Sequence, residues 1–465
     1  MLSVKTKRPF LHYNESLAKY EKTEKPKAND LAYLLNQLAG FFRIAGYFSA
    51  AIPLLRRALA IKEKILGKQH PDTAQSMNNL AGLLDSKGDY VSAEPLYKRA
   101  LSIYEKVLGK EHPDIATTLS SLAALLESKG DYGSAQPLYR RALAIREKIL
   151  GKEHPDTATS LNNLAYLHYA KGESDEAEQL FKRALSIREK ILGKEHPDTA
   201  TSLNNLAYLH YAKGESDEAE QLFKRALSIR EKILGKEHPD TATSLNNLAY
   251  LHYAKGESDE AEQLFKRALA IREKVLGKEH PETVNSLNNL ASLLESKGDY
   301  DSAEPLYKRA LAIREKVLGK EHPDTATSLT NFADLLYSKG DFGAEPLYRR
   351  ALAISENVFG AEHPNTAQSL TNLAKVLIEI GDYDSAEPLY KRALSIYEKV
   401  LGKRHPDTAT SLNHLAALYY AKGKIHEAKP LIKRALKIFK KVLGAKHPNT
   451  VITRNNLAGC RANMG

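Results

Sequence analysis

KEHPDTATSLNNLAYLHYAKGESDEAEQLFKRALSIREKILG, residues 152–193, recurs letter for letter at 194–235 and again at 236–277, there with changes only at Ala270 and Val275. The dipeptide His-Pro marks the period. It returns at His70, His112, His154, His196, His238, His280, His322, His363, His405 and His447, each 42 residues on except for one step of 41. The short step is a one-residue deletion after Phe342, where Asp-Phe-Gly-Ala stands for the Asp-Tyr-Asp-Ser-Ala of 299–303. A fixed period of this kind marks a repeat array in which each unit buries its apolar face on its neighbours. A more divergent unit, 29–67, precedes the first His-Pro. The 465 residues therefore divide into a basic arm or N-terminal cap (1–28), ten units forming one superhelical array (29–444) and a C-terminal half unit that caps the end (445–465).

Each unit reads as two helices. Leu161, Leu164, Ala165 and His168 follow the i, i+3, i+4, i+7 spacing that gathers side chains on one helical face and argues against a strand. Pro155 suits the first helical position, where no amide bond is lost, and Asp156 sets negative charge at the positive end of the helix dipole. The first helix is thus predicted over about 155–170, ended by Lys171-Gly172. A second stripe of Ala177, Leu180, Phe181, Ala184, Ile187 and Ile191 runs to Gly193, a left-handed cap. Pro95, Pro305 and Pro388 are expected within the first turn or so of their second helices, where proline costs least. Paired acids such as Asp175 and Glu176 read as helix-start charge.

Leu80, Ala81, Gly88, Ala93, Tyr97 and Ala100 carry the Leu-Ala, turn-Gly, Ala-aromatic-Ala order of the tetratricopeptide signature, which the chain resembles from Asn29 to about Met464. That repeat has a period of about 34 residues. The longer unit here, with Leu-Gly-Lys-Glu-His-Pro between copies, resembles the variant found in kinesin light chains. The resemblance implies an all-α fold, a right-handed α-solenoid of tandem helix-turn-helix repeats, acting as a non-catalytic scaffold for protein–protein interaction. The 28 residues ahead of Asn29 are too few for the heptad coiled coil that precedes the repeats of kinesin light chains, so no motor-associated role is expected.

The net charge of +11 is unevenly placed. Residues 403–465 hold thirteen Lys/Arg against two acids and residues 1–28 seven against three, which leaves the body of the array almost neutral. Lys429, Lys433, Lys437 and Lys441, beside Arg434 and Lys440, form one stripe on the last long helix. It reads as a site for an acidic partner, anionic lipid or nucleic acid, or as the solvated outer face that a terminal unit needs. Cys460 is the only cysteine, no apolar run is long enough to span a bilayer, and the N-terminus has no signal-peptide core. A soluble, cytoplasmic protein is expected.

The first helices of such a solenoid line its concave side. In 161–169 the leucines and Ala165 belong to the packing stripe, which leaves Asn162, Asn163, Tyr166, Tyr169 and Ala170 on the remaining face. The second Asn recurs as Asn79, Asn163, Asn205, Asn247, Asn289, Asn331, Asn372 and Asn456, interrupted by Ser121 and His414. In kinesin-light-chain-like repeats an Asn at this place projects into the groove and bonds the backbone of a bound peptide, and the resemblance implies that role here. A carboxamide both donates and accepts, so it can pair with a peptide unit of any sequence. The other reading is that these residues pair between neighbouring repeats. Tyr166, Tyr169, Tyr208, Tyr211, Tyr250 and Tyr253 would line the same groove in the near-identical units. Elsewhere the equivalent places hold Asp85, Glu127, Glu295 and Asp334, which would repel an acidic ligand.

Catalytic chemistry finds no foothold. The repeated histidines have no Cys, His or Asp repeated with them at metal-ligand spacing, and there is no G-x-x-x-x-G-K-[ST] loop and no G-x-S-x-G. His168, His210 and His252 fall on packing faces. No enzyme activity, cofactor or metal is expected. The expected partner is a protein or peptide held in the groove. A nucleic-acid partner is not expected there, since base-reading helical repeats vary their code residues from unit to unit. The alternatives are nucleic-acid or anionic-surface binding through the basic end, and self-association into an architectural rod.

Overall fold

The computed structural model describes residues 28–44, 47–341, 343–445 and 447–462. Among the described residues there are 21 helices and no strand. They form helical hairpins, beginning with Ala28–Ile44 and Phe48–Ile65, and a final lone helix, Pro448–Ala462. The letter-for-letter copies give Pro155–Ala170 with Ser174–Ile191 and Pro197–Ala212 with Ser216–Ile233. The expectation of an arm or cap at the N-terminus lies outside the described residues.

Every first helix after Ala28–Ile44 starts at a His-Pro junction. His154 takes extended backbone (φ −78°, ψ 143°) and its Nδ1 accepts a hydrogen bond from the Asp156 amide at 3.1 Å, while Pro155 opens the helix. Side-chain capping of this kind supplies one of the acceptors that the first turn lacks. Thr157 donates through Oγ1 to the Gly151 carbonyl at 2.8 Å and ties the junction to the preceding helix. The prolines of the second helices sit further in than expected. Tyr90–Val107 begins more than a turn before Pro95, because Asp89 caps it by accepting from the Ser92 amide at 3.1 Å. Pro305 and Pro388 lie likewise inside Tyr300–Val317 and Tyr383–Val400, each at the loss of one intrahelical bond. The one-residue deletion leaves Ala344–Phe359 with 16 residues against the 18 of other second helices, and without a side-chain cap.

Units are joined by apolar clusters that cross their boundaries. Ala165, Ala177 and Phe181 pack with Leu206 and Leu209 of the following unit, and Ala207, Ala219 and Phe223 with Leu248 and Leu251 of the next. The alanines are fully buried, which brings the helices of a hairpin close, and each buried phenylalanine contributes roughly 1.5–3 kcal/mol. First helices of neighbouring units touch one another while second helices stand further apart, so the ribbon curves with its first helices inside. On the outer side Arg183 pairs with Glu147 at 2.5 Å, Arg225 with Glu189 at 2.6 Å, and so on to Arg434 with Glu398 at 2.5 Å. These pairs explain the near-neutral body. Half-exposed as they are, each contributes only about 0–1 kcal/mol.

After six units the ribbon meets itself. His280 Nε2 lies 3.0 Å from the Ile44 carbonyl, His322 Nε2 3.2 Å from that of Ser86, and His363 Nε2 2.8 Å from that of Ser128. His405 bonds the Ala170 carbonyl in the same way. A carbonyl offers no proton, so Nε2 carries one, and Nδ1 is bare because it accepts from the cap amide. Both bonds together require the neutral ring. Gly88 makes the close approach possible: a Cβ there would stand 2.7 Å from Cδ of Pro323. Tyr90 packs against Phe359 across the same seam, with ring centres 5.9 Å apart.

Candidate binding groove

The two asparagines of the repeated Asn-Asn pair part company. Asn162, Asn204, Asn246 and Asn288 are buried, not on the open face where the spacing set Asn162. Asn204 Nδ2 donates to Ser244 Oγ and Asn246 Nδ2 to Ser286 Oγ, both at 3.1 Å, in the following unit. The helix tilts this position into the seam between units, so it is structural. The second Asn stays on the inner surface. Asn163, Asn205, Asn247, Asn289, Asn331 and Asn372 are half-buried and Asn79 is exposed. Asn79 accepts from Gln75 at 3.0 Å, Asn372 from Gln368 at 2.8 Å, and Asn205 from the Tyr166 hydroxyl at 2.7 Å.

Tyrosines connect these positions. Tyr166, Tyr208 and Tyr250 are 39%, 47% and 48% exposed, whereas Tyr169, Tyr211 and Tyr253 are half-buried against the cores. Tyr169, Tyr208, Tyr211, Tyr250 and Tyr253 follow one another with ring centres 5.8, 6.4, 6.1 and 6.2 Å apart, a run of aromatic contacts across three units. Toward the N-terminal end the surface opens into a cleft of about 390 Å³ lined by Asn36, Arg43, Gln75, Asn78, Asn79 and Ser121 among others.

The acidic positions are held by neighbouring phenols. Glu127 accepts from Tyr139 at 2.8 Å, Glu295 from Tyr307 at 3.0 Å, and Asp334 from Tyr348. Burial holds the carboxyls of Glu127 and Glu295 above their usual range and pushes Asp85 up to about 6, whereas Asp334 is exposed. His414, which interrupts the Asn ladder, stacks on Tyr390, and burial holds its ring down to about 4. His168, His210 and His252 sit at the packing face and meet Glu173, Glu215 and Glu257. Among the described residues no group of three or more His, Cys, Asp and Glu is placed to hold a metal ion.

At the C-terminal end Arg434 is taken by Glu398, but Lys433, Lys437, Lys440 and Lys441 are exposed. Lys437 and Lys441 border a shallow cleft with Lys403, Arg404 and Arg434. Lys429 is half-buried on the same helix. A further row escaped the sequence reading. Arg188, Arg230, Arg272 and Arg314 are 4–7% exposed, and Arg188 bonds the Asp198 carbonyl and Ser202 Oγ at 3.0 Å and Thr159 Oγ1 at 3.1 Å. The signal available was the small hydroxyl at each of the latter two places, which leaves room for a guanidinium. This row is internal and binds units together.

The family model of the tetratricopeptide repeat matches in overlapping windows from 30–106 to 407–465, which together span the array. The chain belongs to the tetratricopeptide repeat family. Repeat proteins of this family are generally non-catalytic scaffolds for protein–protein interaction. No curated protein matches this tetratricopeptide chain. Among solved structures it is similar to nearly identical TPR-like repeats of the kinesin light chain kind from Podosopora anserina, at 32% identity over 44% of this chain and 97% of that one, with a TM-score of 0.37. BtubC (BKLC) from P. vanneervenii is 28% identical over 50% of this chain and 92% of that one, with a TM-score of 0.40. A Rap protein complexed with competence and sporulation factor is 16% identical over 79% of this chain and 98% of that one, with a TM-score of 0.52, a likeness of fold. No described helix is long and apolar enough to cross a membrane.

Proposed function

We propose that this tetratricopeptide array holds an extended segment of a partner protein along its inner surface, with the second-Asn ladder pairing the ligand backbone and the tyrosines contacting its side chains. The observation that carries the reading is the split within the Asn-Asn pairs of the near-identical units: Asn204 and Asn246 are consumed by the neighbouring unit, while Asn205 and Asn247, one residue on, are only half-buried. Carboxamides at one register in successive units suit a backbone, whose donors and acceptors also repeat. Exposed phenols give large, rigid contact area at little entropic cost. The acidic positions Asp85, Glu127, Glu295 and Asp334 favour a ligand with basic rather than acidic side chains at the ends of the tyrosine stretch.

The test is capture from source-cell lysate at moderate and high salt, comparing the native chain with an Asn163, Asn205 and Asn247 to Ala variant whose helicity is confirmed by circular dichroism. A protein retained at high salt and lost with the triple change supports the groove. The exposed Lys433, Lys437 and Lys441 favour a second reading, an anionic partner at the C-terminal end. Capture indifferent to the asparagines and abolished by salt would select it, because electrostatic contacts weaken steeply with ionic strength.

A further inference from the structure

The seam between superhelical turns is built from a motif that recurs in every unit after the first, yet only part of it is used. Within one chain the junction edge of the second turn, His280, His322, His363 and His405, seats on the turn edge of the first, the ends of the first helices at Ile44, Ser86, Ser128 and Ala170. Among the described residues nothing seats on the junction edge of the first turn. His112, His154, His196 and His238 are 39–40% exposed at the side chain, against 9% for His405 in the seam. Each still caps its own helix through Nδ1, so its Nε2 is presented outward.

The turn edge of the second turn is open in the complementary way. Ser296-Lys297-Gly298-Asp299-Tyr300 is the same pentapeptide as Ser86-Lys87-Gly88-Asp89-Tyr90, which receives His322. Gly88 has Pro323 against it, while nothing stands within 4 Å of a Cβ built on Gly298, Gly340, Gly381 or Gly423. Among the described residues, one edge therefore carries free donors and the opposite edge carries free acceptors, with local sequence identical to that of the seam at 296–300.

We propose that the chain associates head to tail with a second copy of itself, the free His-Pro edge of one copy's first turn seating on the free Ser-Lys-Gly-Asp edge of another copy's second turn. The contact continues the seam already present inside each chain. It is heterologous, since the two surfaces differ, and it leaves a free edge of each kind at the ends, so growth is open rather than closed at two copies. It involves neither the Asn ladder nor the lysine stripe.

Sedimentation velocity of the full chain from micromolar to hundreds of micromolar tests this with two edge variants, each checked for native helicity. Changing His112, His154, His196 and His238 to Asn keeps an N-cap acceptor but removes the outward donor. Changing Gly298 and Gly340 to Asn is tolerated locally, because Asn accepts left-handed backbone and the space is open, yet puts a Cβ where the incoming proline would lie. The native chain should give a concentration-dependent series of species beyond the dimer, and each variant alone should sediment as the 51.7 kDa monomer. An equimolar mixture of the two variants, each retaining one working edge, should give dimers and stop there. An Asn205→Ala, Asn247→Ala chain should associate as the native one does. A native chain that stays monomeric throughout, or stops at a dimer, overturns the proposal, as does association unchanged in either edge variant or a mixture without dimers.

Discussion

Asn204 donates to Ser244 of the following unit while Asn205, its neighbour in sequence, receives the Tyr166 hydroxyl on the inner surface. Substituting them separates stability from binding. Asn204→Ala should lower unfolding free energy by about 1 kcal/mol in urea titration, the usual worth of one such bond, and leave ligand affinity intact. Asp85 supplies a second test at this scale. Its folded carboxyl, pushed up to about 6 by burial, binds its proton more tightly than in the unfolded chain, whose ordinary value is 3.8. Its contribution is therefore fully favourable below pH 3.8 and is lost as pH rises through about 6. Urea midpoints measured across this interval should fall less steeply for Asp85→Asn than for the native chain. An identical pH profile would show that the group is not buried as described. Spacing alone could place both asparagines off the leucine stripe, but not tell them apart: the difference depends on a hydroxyl forty residues on in the next unit.

The helices were legible because the same signals recur in copy after copy. Pro at the first position, an apolar stripe and a Gly at each end suffice for the observed Pro155–Ala170 and Ser174–Ile191. The second-helix starts were less so, since Asp89 and Ser92 cap one turn ahead of the more conspicuous Pro95. The junction histidine acts here as an N-cap. His154→Ala should cost about 1 kcal/mol and His154→Asn, which restores the acceptor, much less, as read by thermal or urea unfolding. Phe223, buried between two units, sets the contrasting scale: Phe223→Ala should cost about 3–5 kcal/mol. Equal losses for His154→Ala and His154→Asn would point to a role beyond capping in the first turn.

The superhelical seam was not legible at all. It depends on a small rotation per unit accumulated over six units, which no local pattern encodes, and the histidines that make it are the same residues that read as caps. In the second turn they do both jobs. Changing His322, His363 and His405 to Asn should keep the helices and release the turns, seen as a larger radius of gyration in solution scattering, whereas the same change at His112, His154 and His196 should leave the size of the monomer as it is. Burial holds the His363 ring down to about 4 from an ordinary 6.5. A depressed histidine favours the folded state at high pH, so the seam should weaken as pH falls from 6.5 toward 4.

The central claim is that the inner surface reads a peptide backbone through the second-Asn ladder. Its most direct test is fluorescence anisotropy with a purified peptide selected on the native chain from a random library, titrated against the native protein and the Asn205→Ala, Asn247→Ala variant. The account predicts affinity weaker by at least about tenfold, the loss of roughly 1.4 kcal/mol, with an unchanged unfolding midpoint. Equal affinities for the two proteins would contradict it.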